Sequence, residues 1–250
     1  MKISFLMATY NRKSSVGDAI DSYLNQEMPG TELIVVDDGS EDGSVERLQG
    51  YADRIRFVSL PQNRGVGFAR NQALKLAAGE YVSILDSDNK LEDGAVEEML
   101  RAIKAEEIAI YKFPVIFSST GRQSFDFEGH LCGLDYLLNR PKVECHTLIK
   151  RELLQAHKFI EKFNGGEGIV WLDCALDSDE VKYIPVPTLS YRDSGDDRLS
   201  DRNSNARRIR QVHIEGIKRH ARHYIRHNPF ELLKVSAKIT YYSLVLLVKP

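Results

Sequence analysis

Over its first hundred residues this chain alternates short apolar, β-branched runs with amphipathic stretches, and that alternation restricts its fold more than any other feature. The apolar runs at 3–8, 32–37, 55–60 and 81–86 have the length and composition of strands covered on both faces. Between and after them, 14–26, 43–51, 65–78 and 94–104 read as helices. Strand–helix alternation predicts an α/β fold with a mostly parallel, doubly wound sheet. Ligands of such sheets bind beyond the carboxyl ends of the strands. Three of those ends carry unusual polar residues, Thr9-Tyr10-Asn11, Asp37-Asp38-Gly39-Ser40 and Asp86-Ser87-Asp88, so all three should meet at one cleft.

Past residue 105 the alternation loosens. Strands are expected at 108–117, 124–127 and 143–149, then a helix at 151–156, an Asn164-Gly165-Gly166 turn, an apolar segment at 169–172, and a strand at 181–186 leading to Tyr191-Arg192. This reads as a mixed second half of the same sheet. A basic helix at 206–227, a break at Asn228-Pro229 and a more apolar helix at 230–248 complete the pattern. The expected division is a unit of residues 1–204, with halves 1–105 and 106–204, followed by a helical tail 205–250.

With 250 residues and 42% hydrophobic content the chain can bury a sizeable core. Its net charge of −2 hides an asymmetry. From Asn205 to Pro250 there are ten Lys and Arg against two Glu, which leaves about −10 for the first 204 residues. Cys132, Cys145 and Cys174 are odd in number and lack metal-ligand spacing, which argues against a disulfide framework or zinc site and for a reducing, cytoplasmic setting. The apolar run at 3–8 is too brief for the core of a signal peptide and reads as the first strand.

Asp86 and Asp88, one residue apart where a strand ends, can both point into a cleft, and such hard oxygen ligands suit Mg²⁺ or Mn²⁺ holding a diphosphate. Taken alone, the triplet favours an ordinary capped turn. Asp37 and Asp38 can accept hydrogen bonds from a base or ribose, or can simply form a turn. The segment Asn63-Arg64-Gly65-Val66-Gly67-Phe68-Ala69-Arg70-Asn71 opens a helix with glycines and sets two cations near an N-terminus that favours anions. Tyr10 can stack on a base or pack. The isolated His130 and His146 read as structural, and Trp171, just after the Asn164-Gly165-Gly166 turn, can either contact a ligand face or belong to the core.

In order and spacing, ATYNR (8–12), VVDDGS (35–40), NRGVGFARN (63–71) and DSD (86–88) resemble the N-terminal half of the inverting family-2 glycosyltransferases of GT-A fold. The likeness continues more weakly through Leu148-Ile149-Lys150-Arg151, Gly166-Glu167 and Tyr183-Ile184-Pro185 to Tyr191-Arg192. It implies a nucleotide-sugar donor (UDP-, GDP- or dTDP-sugar, UDP favoured) bound by the half 1–105, and a glycan or lipid-linked acceptor on the half 106–204. By the same resemblance Thr9, Tyr10 and Asn11 border the base, Asp38 bonds it and Arg70 helps hold it. Asp86 and Ser87 lie on the ribose or donor sugar, and Asp88, with Asp86, holds the metal. Residues 192–200 fall where the family often carries a loop over the diphosphate, which places Arg192 or Arg198 on phosphate.

An inverting transfer also needs a carboxylate base on the acceptor side. Family members usually supply it as the Asp of a Glu-Asp pair; here the pair is Glu167-Gly168, so Glu167 or, six residues on, Asp173 takes that role. The missing Asp also motivates a second reading, a catalytically impaired protein that binds nucleotide-sugar or a partner. A nucleotidyltransferase is disfavoured, since no Gly-rich loop with Arg and Lys follows the first strand. The tail at 205–250 reads as a helix lying on the inner face of an anionic membrane, as a homodimer contact, or as packing on the catalytic unit. Its slight aromatic interleaving and the acidic remainder of the chain argue against nucleic acid.

Overall fold

The computed structural model describes residues 1–131, 136, 139–178, 180–194 and 206–248. Its first half follows the alternation: β1 (Ile3–Thr9), α1 (Val16–Leu24), β2 (Thr31–Asp37), α2 (Ser44–Gln49), β3 (Arg56–Ser59), α3 (Val66–Leu76) and β4 (Tyr81–Ile84). Then come β5 (Lys90–Leu91), α4 (Ala95–Ala105), β6 (Ile110–Phe117), β7 (Gly129–Leu131), β8 (Cys145–Lys150), α5 (Arg151–His157), α6 (Glu167–Asp177), β9 (Val181–Tyr183) and β10 (Leu189–Tyr191). Two long helices follow, α7 (Ala206–His227) and α8 (Pro229–Val248).

The strands form one sheet in the order β3-β2-β1-β4-β8-β6-β10-β5. The first four are parallel, as expected of strands joined by crossover helices. β8 enters antiparallel to both β4 and β6, which makes the second half mixed. On its other flank β6 pairs with β9 at Ile110–Lys112 and with β10 at Val115–Phe117. Pro114 lies between those two pairings, where a missing N–H is tolerated.

Period-two geometry sends alternate residues of β1 and β2 to opposite faces. Ile3, Phe5 and Met7 join Leu33 and Val35 under Ile20 and Tyr23 of α1 and Met99 of α4. Leu6 joins Ile34 and Val36 under Ala69 and Ala73 of α3 and Ile169 and Val170 of α6. Each large apolar side chain so buried contributes about 1.5–3 kcal/mol.

Several segments depart from the sequence expectation. Residues 124–127 form no strand: Phe125 and Phe127 instead pack against Tyr183, and the edge pairing is made by β7. The apolar stretch at 169–172 lies inside α6. The strand expected at 181–186 stops at Tyr183 ahead of Pro185 and Pro187, whose rings cannot donate to a ladder, and pairing resumes as β10. β5, two residues long, is too short to leave a periodic signal.

The register places the polar motifs at one edge. Thr9 is level with Asp37, Asp37 with Ser59, and Leu6 with Ile84, two residues before Asp86. Gly39 has φ +76°, and a Cβ there would stand 2.6 Å from the Gln62 carbonyl carbon. Only glycine allows both that conformation and that approach.

At the other end of the chain, α7 docks on α6. Arg219 Nη1 and His220 Nε2 reach the two oxygens of Asp173 at 2.6 and 2.7 Å, and His220 and Tyr224 are buried there. α8 folds back along α7: Arg210 Nε donates to Ser243 Oγ at 2.7 Å, and His213 stacks on Tyr242. Among the described residues no helix is long and apolar enough to cross a membrane.

Candidate active site

A cleft of about 570 Å³ opens at the carboxyl edge of β1, β2 and β4. It gathers Thr9, Tyr10, Asn11, Asp38, Arg70, Asp86, Ser87, Asp88, Glu167 and Arg192. Arg198, also named for phosphate, lies outside the described residues.

The loops after β1 and β2 tie each other in place. Asn11 adopts φ +51°, which asparagine tolerates better than most residues; its N–H donates to Ser40 Oγ at 2.8 Å, and its side-chain oxygen accepts from Glu41 N–H at 3.0 Å. Arg12 N–H and Lys13 N–H likewise donate to Ser44 and Asp42. Tyr10 is left exposed at the cleft. Thr9 is buried, with a hydroxyl that finds no partner among the described residues, an orphan suited to a base edge. The two oxygens of Asp38 accept the N–H groups of Arg64 and Gly65 at 2.9 and 2.7 Å. Burial raises the Asp38 carboxyl above its ordinary range, and those two bonds only partly offset the rise.

Arg70 occupies the centre. Its buried guanidinium donates from Nη2 to Asp86 Oδ1 at 2.6 Å and from Nη1 to Glu167 Oε1 at 2.5 Å. One cation therefore joins the DSD triplet to the acidic residue across the cleft, and these carboxylates raise its pKa against the opposing effect of burial. The rest of the helix-opening motif holds the loop that delivers Glu167. Asn71 receives Phe159 N–H and donates to Phe159 C=O, each at 2.9 Å. Gly67 lets Ile160 O approach so closely that a Cβ would stand 2.1 Å away. Val66 N–H donates to Asn164 Oδ1 at 3.3 Å. Glu167 then begins α6, with Gly166 as its N-cap.

Asp88 makes no salt bridge among the described residues. Burial and the neighbouring charge of Asp86 raise its carboxyl above the ordinary range, against the pull of Arg12 and Arg192. Two crowded carboxylates with hard oxygen donors are a setting that a divalent cation relieves, so Asp86 and Asp88 fit Mg²⁺ or Mn²⁺. His146 lines the cleft but is unavailable as a ligand: Nε2 is on Ser83 Oγ and Nδ1 on Thr188 Oγ1, and burial pushes its pKa down to about 4. Burial likewise pushes the Cys145 thiol up to about 11. The one described grouping of three metal-capable side chains, Glu106, His130 and Glu180, is away from the cleft and shares Glu106 with Lys182.

Asp173, the alternative base, does not reach the cleft. Burial alone would raise its carboxyl, but hydrogen bonds from His220 and Arg219 outweigh this and hold it below the ordinary range. A carboxylate so held contributes stability above its unfolded pKa and loses it as pH falls through the lowered folded value. Asp173→Asn should therefore cost on the order of 1–3 kcal/mol at neutral pH, as His220 loses a buried partner, with the deficit shrinking in acid and turnover at permissive temperature kept. Denaturant unfolding at two pH values, with activity in parallel, checks this.

Two further residues line the cleft, of which Arg208 carried no distinguishing sequence signal. Arg208, from the first turn of α7, lies against Gly165 and near the charge of Glu167, its Nε buried without a partner; burial lowers its pKa. Nothing in the basic run separates it from Arg207 or Arg210. Trp171 is four residues after Glu167 on α6 and lines the cleft while packed edge-on to Phe159 and under Lys112.

A parallel half-sheet with acidic motifs at its carboxyl edge, facing an acidic helix start across an open cleft, defines a GT-A type nucleotide-sugar transferase. Residues 4–156 match the family described as Glycosyl transferase family 2, and the chain belongs to that family. The GalNAc(5)-diNAcBac-PP-undecaprenol beta-1,3-glucosyltransferase of Campylobacter jejuni is 30% identical over 227 residues, 86% of this chain and 72% of the relative. The putative teichuronic acid biosynthesis glycosyltransferase TuaG of Bacillus subtilis is 35% identical, covering 56% of this chain and 53% of its own length. Staphylococcus aureus TarS 1-349 in complex with UDP-GlcNAc shares the fold, with a TM-score of 0.74, 20% identity, and coverage of 86% of this chain and 66% of that one. The chain thus spans about half to three-quarters of these proteins.

Proposed function

We propose that this protein transfers a sugar, with inversion, from a nucleotide diphosphate sugar, UDP-sugar foremost, to a hydroxyl of a glycan or lipid-linked acceptor at the cytoplasmic face of the membrane. The observation that carries the proposal is the Asp86–Arg70–Glu167 bridge, which fixes donor-side and acceptor-side carboxylates at one cleft. The UDP-GlcNAc named in the TarS complex supports the donor class, and the undecaprenol diphosphate in the Campylobacter relative's name supports the acceptor class.

Tyr10 and Thr9 receive the base, and Asp38 fixes the Asn63–Gly65 loop beside it. Asp86 and Asp88 would hold Mg²⁺ or Mn²⁺, which when bound supplies charge neutralisation for the departing diphosphate. Arg192 and Arg208 add positive charge at the same cleft. Glu167, whose Oε1 is positioned by Arg70, keeps Oε2 to take the proton of the attacking hydroxyl. Trp171, on the same helix face, offers an aromatic surface to the acceptor sugar.

Thermal unfolding with UDP-, GDP- and dTDP-sugars, with and without Mn²⁺, tests the donor. A UDP-sugar at about 100 times its Kd should raise the melting temperature by about 5–10 °C, and only with the ion. Pyrophosphate release from nucleoside triphosphate plus sugar phosphate would move the assignment to a nucleotidyltransferase. Donor binding without turnover across a broad acceptor panel would favour the impaired reading that Gly168 suggests.

A further inference from the structure

The α7–α8 hairpin presents a surface that the chemistry in the cleft does not use. Along α8, Phe230, Leu233, Tyr241 and Leu244 are 75%, 65%, 61% and 57% exposed. Together with exposed Ala237 they recur at intervals of three and four residues, which places all five on one stripe of the helix. A contiguous apolar stripe left in water is a docking surface. Lys234 and Lys238, both exposed, flank one side of it, and exposed Ser236 and Thr240 the other. Arg222 and Arg226 of α7 are also exposed. The only acids in the described hairpin are spoken for, Glu215 by Arg219 and Glu231 by Lys142 and Lys234. An apolar strip with a cationic border and no free carboxylate matches an anionic lipid interface, apolar groups among the acyl chains and ammonium groups at the phosphates. A second copy of the same surface would instead bring lysines against lysines.

Placement strengthens the match. The Arg210–Ser243 bond and the His213–Tyr242 stack put the end of α8 that carries Tyr241 and Leu244 level with the start of α7, one turn from Arg208 in the cleft. The stripe faces away from α7, so a bilayer touching it would lie level with the cleft, one helix thickness from the start of α7. We propose that the α8 stripe docks this protein onto an anionic membrane surface and so holds the active site at the level of a lipid headgroup. The docking is independent of the catalytic chemistry; its use in presenting a lipid-linked acceptor rests on the function proposed above.

Cosedimentation of the full chain with vesicles tests this. Vesicles of phosphatidylglycerol and phosphatidylcholine should carry the protein down at low salt, and phosphatidylcholine alone should do so at least about tenfold less well, at roughly 1 kcal/mol per engaged lysine. The triple variant Phe230→Ser, Leu233→Ser, Leu244→Ser, changed only at exposed positions, should lose at least about tenfold in partitioning. Its melting temperature and its donor turnover without vesicles should be unchanged. Equal binding by parent and triple variant, no binding to anionic vesicles, or a stable dimer that the same substitutions dissolve would each overturn the proposal. Failure to use any lipid-linked acceptor, with vesicle binding intact, would instead strike the proposed function and leave the docking surface standing.

Discussion

Glu167→Gln should lower kcat by about 10³-fold while leaving the affinity for UDP and the donor KM unchanged. The substitution is nearly isosteric, and the amide oxygen still accepts from Arg70 Nη1, so the loop from Phe159 to α6 keeps its anchors in Asn71 and Gly67. What disappears is a group able to accept the acceptor's proton, and that loss belongs to the transition state alone. Gly168, where a Cβ would meet nothing within 4 Å, can receive the Asp that family members usually carry, so Gly168→Asp added to Glu167→Gln should recover part of the lost turnover. Steady-state kinetics with calorimetric UDP titration separates the outcomes. Full activity in the single variant would remove Glu167 from the chemistry.

Asp88→Asn should have the second large effect, in two opposite directions. Transfer should fall on the order of 10³-fold, because several kcal/mol of charge stabilisation goes with the ion that Asp86 and Asp88 would hold. The metal-free variant should nevertheless melt above the parent chain at neutral pH. Asp88 carries its charge in a partly buried place next to Asp86, and this is unfavourable to the fold until a cation arrives. Adding Mn²⁺ should raise the parent's melting temperature and leave the variant's nearly unmoved. Calorimetric melts with and without the ion, beside transfer assays, read both effects. Equal Mn²⁺ stabilisation of the two proteins would place the ion elsewhere. Sites assembled for function commonly carry such a stability penalty.

Arg70 shows how far the motif reading reached. The series Asn63 to Asn71 reads locally as a helix entrance favourable to anions, and the family resemblance puts Arg70 on the base. The helix begins there as expected, yet Arg70, Asn71 and the Val66 N–H turn toward the segment from Phe159 to Glu167. Contacts about ninety residues apart leave no trace in local pattern, because the second partner, a loop without periodicity, has nothing to signal its position.

The sequence by itself determined the parallel half-sheet and the edge where its polar motifs meet. Strand and helix periods, and the glycines that only tight turns admit, are local properties, and β1 to β4 follow from them. It also determined the breaks before α3 and α8, set by glycine and proline. The tertiary structure alone decided which acid faces the cleft. Glu167 and Asp173 share α6, six residues apart and so about 120° apart around a helix with 3.6 residues per turn. Sequence could not say which face the sheet would claim. Packing of α6 on α5 turned Glu167 to Arg70 and left Asp173 to Arg219 and His220 of α7.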